Sequence, residues 1–471
     1  MTCELRIYNT LSRSIVPFAP IVDGEVRMYA CGPTVYNYAH IGNLRTYVFE
    51  DLLRRTLELS GCRVNHVMNI TDVGHLTSDA DDGEDKIARS ARKQNKTVWE
   101  IAEFYTKAFF HDTDRLGILR PTTTCKATDH ISEMIALIQR IEKNGFTYSS
   151  GGNLYFDISK LPDYGKLKGQ KLDELKAGAR IMVDGNKRNP LDFVLWFTKS
   201  KFEDHAMLWD SPWGRGYPGW HIECSAMSMK YLGERIDIHC GGIDHISVHH
   251  TNEIAQSEAA TGQPWVNYWV HAEFLITDRE KMAKSAGNFL TLDSLVEKGY
   301  DPLDYRFFCL GAHDRSQLQF SWEALDTARN SRKSLNETLL RLRETSEKQD
   351  DLPATLPEWD AFQTHMTEDL NAPQALADLW GLVKNERISP AVRLAFADRM
   401  DGILGLGLST LRRQTLDAGL EDKVNDLIRR RTEARAAKDW AAADRIRDEL
   451  KSLGVVLEDT KDGVKWRAAV G

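Results

Sequence analysis

Apolar positions in the first seventy residues fall into two strand-like runs separated by a helical spacing. Val26-Arg27-Met28-Tyr29-Ala30 reads as a short buried strand, ended by Gly32 and Pro33. A helix is predicted from about Ile41, because Val48, Leu52, Leu57 and Leu59 recur at helical intervals. Val64 to Ile70 reads as a second strand. Strand, helix and strand within about 45 residues make a βαβ unit, which predicts a parallel sheet. Farther along, the spacing predicts a helix near 127–144, strands at Thr147-Tyr148 and Asn153 to Phe156, and a strand at Ile236-Asp237-Ile238 before a Gly-Gly turn. Cys224 ends another apolar run. From about 326 the pattern is helical: Leu335, Leu339 and Leu342 share one face, and Asn371, Pro373 and Gln374 read as an N-cap, an early helical proline and a capping-box partner. Glu344 to Pro357 is a polar connector, and Val455 to Asp459 and Val464-Lys465-Trp466 are candidate short strands.

A helix start facing the carboxyl ends of parallel strands is an anion site, because its free N–H groups and positive dipole end point outward. At that start lies Tyr38-Ala39-His40-Ile41-Gly42-Asn43. Gly42 would let a phosphate approach the backbone, and His40 and Asn43 carry hydrogen-bond donors. Alone, the segment fits a buried histidine beside an ordinary glycine turn equally well. Lys281-Met282-Ala283-Lys284-Ser285 offers two ammonium groups that could offset phosphate charge, or simply a solvated basic loop. His249 and Glu253 are four apart, hence on one helical face, and could hold a metal with thiolates from elsewhere. His221, His239, Cys240, His245 and His250 compete for that role, and buried free thiols beside a salt-bridged helix face fit the spacing too.

The paired segments resemble the HIGH and KMSKS signatures of class I aminoacyl-tRNA synthetases. The sequence between them resembles one family of that class, cysteinyl-tRNA synthetase. Its likeness is carried by Met28 to Tyr36, Arg188 to Trp196, Pro218 to Met227 and His249 to Ser257, and continues through Trp440 to Leu450. The resemblance implies an α/β fold: a class I Rossmann-like parallel-sheet catalytic domain with an inserted connective segment, then a helical bundle and a small C-terminal domain. It implies Cys31, Cys224, His249 and Glu253 as ligands of one zinc ion at the floor of the cysteine pocket. Zinc binds a thiolate at about 2.3 Å and a hydroxyl far more weakly, which separates cysteine from serine without an editing domain.

By the same resemblance Gly32, Thr34, Thr71 and Trp220 line the cysteine pocket. Gly42, Gly241, Gly242 and Asp244 meet ATP, with Asp244 on the ribose. His40, Asn43, Lys281 and Lys284, with Mg²⁺, stabilise charge while the cysteine carboxylate attacks the α phosphate. The expected product, cysteinyl-adenylate, is then passed to the terminal 2′-hydroxyl of tRNA(Cys). Several positions depart from the family pattern. Asn43 stands for the last His of HIGH, Ala283 for the middle Ser of KMSKS, and Thr251 for a Glu; Gly74 to Ser78 and the acidic run Asp79 to Asp85 are additional. A relative that gives the same adenylate to a small amine, as mycothiol ligase does, lacks the tail that Leu420 to Trp466 resembles. A non-catalytic RNA-binding paralogue would have lost His40, Lys284 or a zinc ligand.

At 471 residues several domains are expected. The sheet is placed in residues 1–120 and 205–275, the inserted segment in 121–204, and a linking region with the lysine loop in 276–325. A helical tRNA-binding domain is placed in 326–405 and a small anticodon-binding domain in 406–471. Seven scattered cysteines suit free thiols and a metal site rather than a disulfide frame. Met1 to Arg6 has no basic start before an apolar run, and no apolar stretch is long enough to span a membrane, so a cytoplasmic monomer is expected. The net charge of −8 does not advertise a nucleic-acid partner. Arg429-Arg430-Arg431, Arg435, Lys438, Arg445, Arg447 and Lys451 form a basic cluster that either tracks phosphates or is laced by neighbouring acids.

Overall fold

The computed structural model describes residues 4–74, 86–169, 185–199, 207–277, 280–281, 289–347, 352–413, 418–437, 439–453, 455–460 and 463–468. The acidic run from Asp79 to Asp85, and Lys284, lie outside them.

Five parallel strands form the central sheet. Their spatial order is Val266–Ala272, Ile236–Gly242, Glu25–Ala30, Arg63–Ile70 and Thr123–Lys126. The strands are largely buried, as strands covered on both faces are, although polar residues such as His66, Asn69, Asp237 and His239 interrupt their apolar runs. The order reverses between Glu25–Ala30 and Ile236–Gly242, so the crevice beyond their carboxyl ends is the switch point where such sheets bind ligands. The expected βαβ unit is present: the helix Ile41–Leu59 joins the first two strands in sequence. Gly241 and Gly242 pair with His271 and Ala272, so they end the fourth strand in sequence; the expected turn begins only after them. Cys224 does not close an apolar run. It lies in the second turn of the helix Trp220–Leu232.

An ion pair with no exposed atoms braces the first helix. Asp51 Oδ2 accepts from Arg306 Nη2 at 2.6 Å and from Arg55 Nε at 2.8 Å, while its Oδ1 accepts from Leu119 N at 2.8 Å. The two arginines outweigh burial and hold the Asp51 carboxyl below its ordinary range. Between the sheet halves, Thr147–Ser150, Asn153–Phe156, Phe193–Phe197 and Tyr217–Pro218 make an antiparallel sheet. Its first hairpin turns at Gly151 and Gly152, both at positive φ, which only glycine adopts without cost.

The chain divides into two compact units, the first comprising residues 1–329, 357–378 and 402–406 and the second the remainder. In the first, Gln374 N donates to Asn371 Oδ1 at 3.3 Å, so Asn371 caps the Ala372–Lys384 helix as expected. In the second, the helices Ala418–Ala436 and Trp440–Ser452 pack through Val424, Leu427 and Leu450. The strands Val455–Thr460 and Gly463–Ala468 form a hairpin, with Leu457 opposite Trp466. Among the described residues no helix is long and apolar enough to cross a membrane.

Candidate active site

A cavity of about 1050 Å³ opens at the switch point. Its wall at the start of the Ile41–Leu59 helix is a local construction. His40 caps the Ile41–Leu59 helix: its Nδ1 accepts from Asn43 N at 3.0 Å, and Asn43 Oδ1 accepts from His40 N at 3.4 Å. In a neutral ring this leaves Nε2 as the donor, and Asn43 keeps its amide N–H₂ as a donor. Both residues line the cavity. Gly42 does not; a Cβ there would sit 3.0 Å from the His40 ring, so glycine lets the ring close the cap. Gly242 and Asp244 also line the cavity, with Asp244 exposed.

The flanks of the lysine loop are anchored to the same helix. Ile41 N donates to Leu290 O at 2.8 Å, and Phe289 meets the His40 ring edge-on at 5.9 Å. Arg45, buried in that helix, donates to the carbonyls of Glu273 and Ser316, at 3.0 and 2.6 Å. Lys281 pairs with Ile276 in a two-residue strand, while its side chain and all of Lys284 lie outside what is described. Sequence reasoning missed Arg45, since a buried arginine serving carbonyls carries no motif.

The floor is a long-range construction. Cys31 follows the Glu25–Ala30 strand, Cys224 comes from Trp220–Leu232, and His249 and Glu253 lie one turn apart on His249–Thr261. Donor atoms of these four buried residues lie within 4.8 Å of one another. The two sulfurs are 4.0 Å apart, and His249 Nε2 is 3.0 Å from Glu253 Oε1. Each remaining polar atom of His249 and Glu253 is held from behind. His249 Nδ1 meets His221 Nδ1 at 2.9 Å, and Glu253 Oε2 meets His239 Nε2 at 2.9 Å. Glu253 Oε1, fully buried, lacks a well-directed hydrogen bond. Two thiols, an imidazole and a carboxylate so arranged suit zinc, with His221 and His239 as outer partners. Cys31 and Glu253 also converge with His239 and His250. That second set offers a single thiol where the first offers two, so the first is the softer donor set and suits zinc better.

The electrostatics agree with a cation-seeking cluster. The Cys31 thiol hydrogen-bonds to Cys224 and brings the Cys224 thiol down to about 7, against burial. Burial pushes Cys31 itself well up. Burial would raise Glu253, but the His239 and His249 imidazoles take it down to about 2. Among the other candidates, Cys240 turns its sulfur to the Tyr29 carbonyl at 3.6 Å, and His245 lines the cavity.

Gly32, Thr34, Thr71 and Trp220 all line the same cavity. A Cβ on Gly32 would lie 1.6 Å from Asn69 O, so that position excludes every other residue. The Trp220 ring is 4.7 Å from the His249 ring. Lys86, Arg89 and Lys93, on one face of the helix Lys86–Gln94, also face the cavity and were not anticipated. Their spacing of three and four, with Ile87, Ala88 and Ala91 opposite, was the available signal.

This architecture is that of a class I tRNA synthetase. A family model described as the tRNA synthetases class I (C) catalytic domain matches residues 17–330, and one described as the cysteinyl-tRNA ligase anticodon binding domain matches 417–467. The chain is 55% identical to a cysteine–tRNA ligase of Treponema denticola, with 98% of this chain and 99% of that protein covered. It is 50% identical to cysteine–tRNA ligase 1 of Burkholderia lata, over 98% of this chain and 96% of that one. A Mycobacterium tuberculosis methionyl-tRNA synthetase structure with methionyl-adenylate has the same fold, with a TM-score of 0.56 at 16% identity over 82% of this chain and 90% of that one. The chain belongs to the cysteinyl-tRNA ligase family of class I synthetases.

Proposed function

We propose that the protein activates L-cysteine with ATP and esterifies it to tRNA(Cys). The single observation that carries this reading is the convergence of Cys31, Cys224, His249 and Glu253 at the floor of the switch-point cavity. A zinc ion held by these four would supply a soft Lewis acid that favours a thiolate over a hydroxyl. The protein's own groups do the rest. Gly32, Thr34, Thr71 and Trp220 enclose a small amino acid above that floor. His40 and Asn43, fixed by their mutual cap, present donors to the phosphates of ATP, with Mg²⁺ as the metal of the nucleotide. Lys281 and Lys284 offset charge on the departing pyrophosphate, and Gly242 and Asp244 take the adenosine. The carboxylate of cysteine is ionised at neutral pH and attacks without a general base.

The tail favours tRNA over a small-amine acceptor, since residues 417–467 match an anticodon-binding domain. We assign residues 326–405 and 406–471 to tRNA contacts. In the terminal helices Arg429 pairs with Asp426 and Glu433, and Arg447 with Asp444, so these arginines reach RNA only by exchanging partners. The test is charging of tRNA(Cys) with labelled cysteine beside zinc quantification. We expect one zinc per chain, charging with cysteine and scarcely any activation of serine. Full charging by metal-free protein, or equal ATP–pyrophosphate exchange with serine, would overturn the reading.

A further inference from the structure

Along the wall of the cavity runs a chain of hydrogen bonds whose direction is determined at one end. Gly32 N–H can only donate, and it donates to Asn69 Oδ1 at 2.8 Å. That identifies which end of the Asn69 amide is oxygen, so its Nδ2 donates to Thr71 Oγ1 at 2.9 Å. The Thr71 hydroxyl, already an acceptor, directs its own proton to Glu223 Oε2 at 3.2 Å. Thr71 lines the cavity; Glu223 lies behind it with no exposed surface. Oε2 accepts whether the carboxyl is ionised or carries its proton on the other oxygen.

A hydroxyl whose proton points backward has only a lone pair left for the cavity. We infer that Glu223 is a positioning residue: through Thr71 it turns a hydrogen-bond acceptor toward the cavity, and that acceptor selects the α-ammonium of the substrate. Gly32 and Asn69 keep the chain in register. The backbone holds Thr71 in place, with Thr71 N donating to Pro33 O and Val35 N to Thr71 O, each at 3.1 Å. The inference rests on the cysteine reading above and assigns one end of that substrate to one wall.

The test uses zinc-loaded full-length protein and two competitors of cysteine-dependent ATP–pyrophosphate exchange. Cysteamine carries thiol and ammonium; 3-mercaptopropionate carries thiol and carboxylate. Glu223→Gln can turn its amide toward Thr71 and reverse the hydroxyl. It should raise KM for cysteine and Ki for cysteamine by about tenfold to a hundredfold, the range for a lost hydrogen bond to a charged group. Ki for 3-mercaptopropionate, KM for ATP and zinc content should stay as they were. Thr71→Val should raise the same two constants, and the double variant should be no worse than Thr71→Val alone. Equal weakening of both competitors, additive effects, or unchanged cysteamine binding would overturn the inference. Absence of cysteine-dependent exchange in the unaltered protein would fail the cysteine reading itself, and this one with it.

Discussion

The two walls of one cavity are built in opposite ways. On one side, His40 and Asn43 hold each other three residues apart, in a local helix cap. At the floor, Cys31, Cys224, His249 and Glu253 come from three segments, and their outer partners His221 and His239 lie 28 and 14 residues from the groups they hold. A local device survives small shifts of the fold. A convergent one depends on every element that delivers a donor, and so it should respond more sharply to remote change.

The largest effect is expected where the Ile41–Leu59 helix is braced. Asp51→Ala leaves the Arg306 guanidinium buried without its counter-charge and should cost about 3–5 kcal/mol of unfolding free energy in urea titration. Equal stability would show that the brace is dispensable. Next, His239→Ala removes the partner of Glu253 Oε2 and should weaken zinc retention about 10- to 100-fold, with KM for ATP unchanged. A matching rise in KM for ATP would mean that the two walls are not independent.

The metal's contribution should also depend on pH. Without metal, burial would lower His249, but the Glu253 carboxylate and the Cys224 sulfur carry it up to about 10. That raised imidazole stabilises the metal-free fold fully below its unfolded value near 6.5, and loses the contribution as pH rises through about 10. Zinc must displace the same proton, so the gap in Tm between zinc-loaded and chelated protein should widen from about pH 6 to about pH 9. A gap that narrows would reject the His249 assignment. The smallest effect belongs to the local wall. Asn43→Ala should cost about 1 kcal/mol as a lost capping partner and slow adenylate formation, leaving zinc content unchanged. Loss of zinc in that variant would break the contrast.

The periodicities of Val26 to Ala30, Ile41 to Leu59 and Val64 to Ile70 predicted the βαβ unit, because strand and helix spacings are local properties. The Asn371 cap was legible for the same reason, and so was the helix start near Ile41, but that His40 and Asn43 cap it mutually appeared only in the structure. At Gly241-Gly242 local reasoning failed: a Gly-Gly pair reads as a turn, yet neighbouring strand Val266–Ala272 supplies hydrogen-bond partners that keep it extended. Cys224 was misread likewise, its helix being decided by burial on all sides rather than by an amphipathic stripe.

Residue order was thus enough for the short-range elements and, through likeness to a family, for naming the four floor residues. It was silent on which histidines stand behind them and on the Glu223–Thr71–Asn69 chain. Those pairings join positions up to 152 residues apart. Only the folded sheet, with its switch point between two strands remote in sequence, brings them within hydrogen-bond distance, since direction and contact between distant side chains leave no periodic trace along the chain.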